Sequence, residues 1–188
     1  MTEFRPVRPF GEWPVLEAQP FDTRASTFIP DLSVDDPKIR NVSPTKIDLI
    51  GATVYRTTTQ AIPDTTPTAV SFDAEEFDQG DLWLAGAPTK LTLPYSGVYS
   101  IVGYAEFEAA ANTNERRIYI YSNGASIIRQ KYPIIGAAIT VEMIATYVGR
   151  FAAGDYLELY VRQDSGGNLN VNAGSDDNFL SAVFLGSI

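Results

Sequence analysis

TKLTLPYSGVYSIVGYAEF, residues 89–107, reads as a strand, a Pro-x-x-Gly turn and a second, longer strand. Leu91 and Leu93 alternate with Lys90 and Thr92, the period of two that a half-buried strand imposes on its side chains. Pro94 removes a backbone donor, and Gly97 is read as supplying the freedom to turn before the chain re-enters a sheet. Past the turn, Tyr99, Ile101, Gly103, Ala105 and Phe107 share one face of the long strand. This is the grammar of an antiparallel β domain, not of an enzyme pocket.

The same period runs outward in both directions. Residues 47–56 open the β region, and residues 69–72 and 82–84 are expected as short strands. The polar, Gly-punctuated stretch FDAEEFDQGD at 72–81 is expected as the loop between them. Residues 117–121 form a strand that ends in Ser122-Asn123-Gly124, where Asn-Gly accepts the positive φ values of a tight hairpin. Ile139, Val141, Met143, Ala145 and Tyr147 alternate with Thr140, Glu142, Thr146 and Arg150. After the turn at 152–155, Leu157, Leu159 and Val161 point one way and Glu158, Tyr160 and Arg162 the other. A turn at 165–167, a short strand through Leu169 and Val171, and a closing strand at 178–185 complete the pattern. Eight to ten strands with no helical periodicity and no internal repeat predict an all-β, antiparallel jelly-roll sandwich.

Composition removes several kinds of chemistry. The 188 residues contain no cysteine and no histidine, so a disulfide framework, a thiolate metal site and a histidine-activated serine are all excluded. No Gly-x-Ser-x-Gly elbow occurs, and the glycine-rich segments at 165–167 and 173–174 precede no helix that would cradle phosphate. A net charge of -9 with scattered basic residues argues against nucleic acid as a partner. The start, MTEFRPVRPFGEW, has two arginines and no apolar run behind them, so neither Sec export nor a membrane span is expected.

Residues 1–46 follow a different grammar from 47–188. They hold seven of the twelve prolines, spaced so that neither a helix nor a central strand persists, and this segment is predicted to be an extended arm. Aromatic residues are interleaved among those prolines, unlike an ordinary disordered linker. Two uses fit: covering the protein's own barrel or a neighbouring subunit, or anchoring on a larger scaffold. In the anchoring case Phe4, Phe10, Trp13, Phe21 and Phe28 fill pockets while Arg5, Arg8 and Arg24 pair with acidic groups.

The order of motifs over residues 47–188 resembles the C1q/TNF-like jelly roll. The residues that carry the likeness are Pro94, Gly97, Val98 and Tyr99; then Gly154, Asp155, Leu157 and Leu159; then Phe179, Ser181, Phe184 and Leu185. The chain departs from secreted members in lacking cysteine and a collagen-like Gly-X-Y stalk. The resemblance implies a homotrimer about a threefold axis lined by apolar side chains of one sheet. Tyr119, Tyr121, Tyr156, Tyr160 and Phe184 are the expected trimer-interface residues, because each is read as lying opposite the aliphatic face of its strand.

A jelly roll behind a Pro-rich, aromatic arm is similar in layout to accessory virion proteins of tailed bacteriophages. That likeness implies a noncatalytic capsid-decoration or head-fibre protein, located in the virion and attached through its arm to the major capsid protein or another virion protein. The alternative is a tail or fibre module that recognises a host-surface glycan through loops at 73–81 or 110–115. No catalytic residue, cofactor or metal ligand is expected. The acidic residues Asp73, Glu75, Glu76, Asp78 and Asp81 lack the spacing of a calcium loop, and Asp176 and Asp177 are read with the same caution. Glu106 and Glu108 share a strand face, whereas glycosidase carboxyls face each other across a cleft.

Overall fold

The computed structural model describes residues 49–110, 115–134 and 138–187, so the arm residues from Phe4 to Phe28 lie outside the described residues. Twelve strands and no helix occur among the described residues. The long strand anticipated from residue 97 is β6 (Gly97–Ala110), whose inward side chains Tyr99, Ile101, Ala105 and Phe107 are fully buried. It is paired along one edge with β9 (Ile139–Phe151) and along the other with β12 (Asn178–Gly186). Continuing outward, β12 pairs β1 (Gly51–Tyr55) and β1 pairs β4 (Ala74–Gln79). The short β11 (Leu169–Val171) and β2 (Gln60–Ile62) complete a seven-stranded sheet.

The second sheet has the order β3 (Thr68–Ala69), β10 (Tyr156–Gln163), β7 (Glu115–Ser122), β8 (Ala125–Pro133), with β5 (Leu91–Thr92) also on β10. Its inward residues Ile118, Ile120, Leu157, Leu159 and Val161 meet Ala52, Val54, Ile101, Leu180 and Ala182 of the first sheet in one core. The result is an antiparallel jelly-roll sandwich. The sheets approach each other closely at Gly103, where a Cβ would lie 2.6 Å from Leu159 Cδ1.

The motif pieces converge at one end of the sandwich. Leu93 N–H donates to the Asp155 carbonyl and Gly154 N–H donates to the Leu93 carbonyl, both at 2.8 Å. The Asp155 carboxylate accepts from Ala152 N–H and from Asn123 Nδ2, each at 2.8 Å, which ties this turn to the Asn123-Gly124 hairpin. Asn123 and Gly124 both have positive φ, as that hairpin requires. Gly97 has a different task from the one expected of it. Its φ lies outside the positive region, and a Cβ there would sit 2.3 Å from the Phe184 ring and 2.4 Å from the Gly186 carbonyl oxygen. The glycine provides room for a close approach.

Three local expectations are corrected; of residues 69–72, expected as a short strand, only Ala69 lies in one, the two-residue β3. FDAEEFDQGD is mostly the edge strand β4, which carries Glu75 and Glu76 into solvent and tucks Phe77 part-way in. Charge on an edge strand discourages pairing with other chains, which is why its composition resembles that of a loop. Residues 82–84 form no strand; Leu82 is buried and Trp83 makes one isolated bridge to Leu91.

Candidate functional site

Each sheet turns one face to the core, so function among the described residues falls to the two outward faces and their rims. On the five-stranded sheet, alternation places Tyr156, Glu158, Tyr160 and Arg162 of β10 outward beside Arg117, Tyr119 and Tyr121 of β7. Four of the five expected interface residues therefore share one face. Tyr121 stacks on Tyr160 at 4.2 Å between centroids, and Tyr119 packs edge-on to Tyr121 at 5.9 Å. The Lys90 ammonium lies 3.9 Å from the Tyr156 ring centroid, within cation-π range. Tyr119 is only 6 % exposed, so its ring is already covered within the single chain.

Phe184 stands apart from the tyrosines. Leu180, Ala182 and Phe184 occupy the core side of β12, where the Phe184 ring packs 5.1 Å from Tyr99 and 6.1 Å from Tyr95. The expected grouping of Phe184 with the tyrosines is thus corrected. The small Ala182 obscures the inward alternation, and the strand bulges between Phe184 and Gly186.

One end of the tyrosine face is ionic. Glu115 is paired with Arg117 and Lys131, and its Oε1 lies 3.2 Å from Arg162 Nη1. The Lys131 hydrogen bond, opposed by burial and helped by Arg117, holds the Glu115 carboxyl below the ordinary carboxylate value. Glu158, also buried, accepts a 2.8 Å hydrogen bond from the Thr89 hydroxyl. Burial, followed by the nearby Glu158 charge, pushes the Tyr160 hydroxyl up. On the β8 side, Arg129 stands exposed directly across from Tyr119, at a shallow groove of about 460 Å³ lined by Tyr119, Tyr121, Ser126 and Arg129 among others.

The outward face of the seven-stranded sheet went unnoticed in the sequence. Tyr104 and Phe179, cross-strand partners, stack at 5.5 Å with planes 12° apart. Around them Val102, Val183, Ile144 and Val148 face outward, with Ile144 48 % and Val148 62 % exposed. A groove of about 410 Å³ beside Phe179 is lined by Thr53, Tyr55, Glu76, Val102, Asp176 and Ser181, among others. Charge appears at the ends of the long strands, with Glu106 opposite Glu142 and Arg150 opposite Val98. Burial, and then Glu142, pushes the Tyr104 hydroxyl up to about 12. The available signal was apolarity at both parities of β6 and β9, the mark of a strand covered on two sides.

Four of the remaining acidic residues have structural tasks. Asp78 accepts from the N–H groups of Leu82 and Trp83 at 2.9 and 2.8 Å, and Asp73 accepts from Thr57 N–H at 2.7 Å. Glu108 accepts both donors of Asn170, and Glu106 accepts from Asn172 Nδ2. Residues 73–81, expected as a recognition loop, are largely β4; the other such loop contains residues 111–114, which lie outside the described residues. No group of three or more metal-ligating side chains occurs among the described residues.

No family model and no curated protein matches the sequence. Solved structures do. Eiger TNF from S. frugiperda superposes with a TM-score of 0.58 at 10% identity, covering 76% of this chain and 96% of that one. Murine APRIL gives 0.56 at 13% identity over 73% of this chain and 99% of its own. The globular domain of zebrafish complement 1qA gives 0.52 at 13% identity over 74% and 99%. At such identities the likeness is one of fold: the chain has a TNF/C1q-type jelly roll.

Proposed function

We propose that this protein is a noncatalytic structural module that assembles as a homotrimer through the outward face of its seven-stranded sheet. Residues 1–46 then fix the trimer to a larger assembly, for which a tailed-phage particle, with the trimer as a decoration or head fibre, is the best match in layout. The observation that carries the reading is the uncharged, partly aromatic centre of that face, where Ile144 and Val148 stand in solvent in the single chain. Contiguous apolar surface of this kind marks an interaction site, and closed symmetry is the usual way to cover it with copies of one chain. The TNF/C1q-type fold, whose resemblance implied a trimer, supports the same assembly. Three arms on one trimer would act together, so weak individual arms give firm attachment.

Light scattering on the full chain tests the assembly, with an expected mass of three times 20.6 kDa. Removal of residues 1–46 is expected to leave that trimer intact and to abolish its incorporation into particles. A monomeric mass overturns the trimer, and normal incorporation of the truncated chain overturns the anchor.

A further inference from the structure

We infer that the outward face of the five-stranded sheet binds a carboxylated saccharide, a glycan carrying uronic or sialic acid. Its tyrosine rings would stack on the sugar, and Arg129, with Lys90, would meet the carboxylate. The inference goes beyond assembly and rests on the proposed function only in that the trimer contact leaves this face outward.

Charge segregation is the first observation. The chain has a net charge of -9, yet five of its eight Lys and Arg residues after Lys46 lie on this face: Lys90, Arg117, Arg129, Lys131 and Arg162. Only two of the sixteen Asp and Glu residues after Lys46, Glu115 and Glu158, point outward from its strands. A local excess of one sign on a surface of the other draws oppositely charged ligands to that patch. The two carboxylates are already engaged, Glu115 by Arg117, Lys131 and Arg162 and Glu158 by Thr89. Arg129 makes no ion pair among the described residues, and Lys90 rests on the Tyr156 ring.

The second observation is what lies beside those cations. Tyr121 and Tyr160, both half-buried, form a stacked pair next to the groove that Arg129 borders. An aromatic face packs against the C–H face of a pyranose while a guanidinium takes a carboxylate through two parallel hydrogen bonds. A second copy of this chain is a poor occupant, because a two-fold contact would set cations against cations. Nucleic acid is disfavoured too, since a long polyanion would meet the acidic remainder of the molecule.

The test uses the full chain with sialyllactose and trigalacturonate as acidic probes and lactose as the neutral counterpart, read by calorimetry and by chemical-shift changes. Both acidic probes are expected to bind with a Kd of about 1 mM or tighter, lactose about tenfold more weakly. Arg129→Gln is expected to weaken the acidic probes about tenfold and leave lactose unchanged. Tyr121→Ala is expected to weaken all three, and Arg150→Gln, at the rim of the other sheet, none. Equal binding of lactose, no binding of either acidic probe, or tighter binding of a single-stranded oligonucleotide or a poly-glutamate peptide overturns the inference. A fall in mass with Arg129→Gln also overturns it, because the face would then hold a second copy. Light scattering on the same samples separates the two proposals, since a monomer that still binds sialyllactose refutes only the trimer.

Discussion

On the seven-stranded sheet, the outward centre through Val102, Phe179 and Val183 is apolar and Glu106, Glu142 and Arg150 stand towards the strand ends, whereas on the five-stranded sheet cations and carboxylates surround four tyrosines. Both sheets contribute equally ordinary aliphatic residues to the core. The difference lies in what the outward aromatics already touch. Tyr119 and Tyr160 are held by neighbouring rings and charges within the chain, while Ile144 and Val148 stand about half exposed or more. An apolar face without partners suits permanent contact with another copy; a face of rings and spare cations suits a polar ligand that comes and goes. A large aromatic residue on a strand is therefore weak grounds for an interface until its intrachain partners are known.

The largest effect is expected from Val148→Asp. Each copy of a trimer would bring one carboxylate into the apolar contact, so a single substitution places three buried charges in the assembly. Because Val148 is well exposed in the single chain, folding should be spared. Light scattering should report monomers while circular dichroism retains the β signature, and Arg129→Glu on the opposite face should leave the mass unchanged. A Val148→Asp protein of wild-type mass would move the assembly contact elsewhere.

Next in size is the core that both faces share. Leu159→Ala should cost about 2–5 kcal/mol in urea unfolding, weakening both sheets together because Leu159 bridges them at Gly103. Gly103→Ala should cost about 1–3 kcal/mol alone, since its Cβ would meet Leu159 Cδ1, and less when Leu159 is already alanine. Strictly additive losses would mean that the sheets do not meet at this pair.

Such core contacts were the part most legible in the sequence, because burial on one side enforces a period of two. Tyr99 to Phe107 and Leu157 to Val161 show it plainly, and both segments are buried at the anticipated positions. Three things were not legible, each for a physical reason. The strand Ala74–Gln79 is an edge whose charges serve exposure, so its composition matches a loop. Gly97 is required by the Phe184 ring, a contact 87 residues distant in sequence that no local pattern contains. The apolar outward face arises from the second parity of β6 and β9, where Val102, Tyr104, Ile144 and Val148 sit between inward residues and blur the alternation.

The smallest effect separates the ionic end of the tyrosine face from its rings. Glu115 gathers Arg117, Lys131 and Arg162, and Glu115→Gln should cost about 1 kcal/mol at neutral pH, near the upper limit for partly exposed pairs. The Glu115 carboxyl is held below its ordinary value of 4.5 in the folded chain, so its contribution is fully present above that value. It is lost as pH falls through the depressed folded value, when the proton displaces Lys131 and Arg117. Urea unfolding of wild type and variant should therefore differ at pH 7 and converge on acidification below 4.5. A gap that persists undiminished in acid would mean that Glu115 acts through packing and not through its ion pairs.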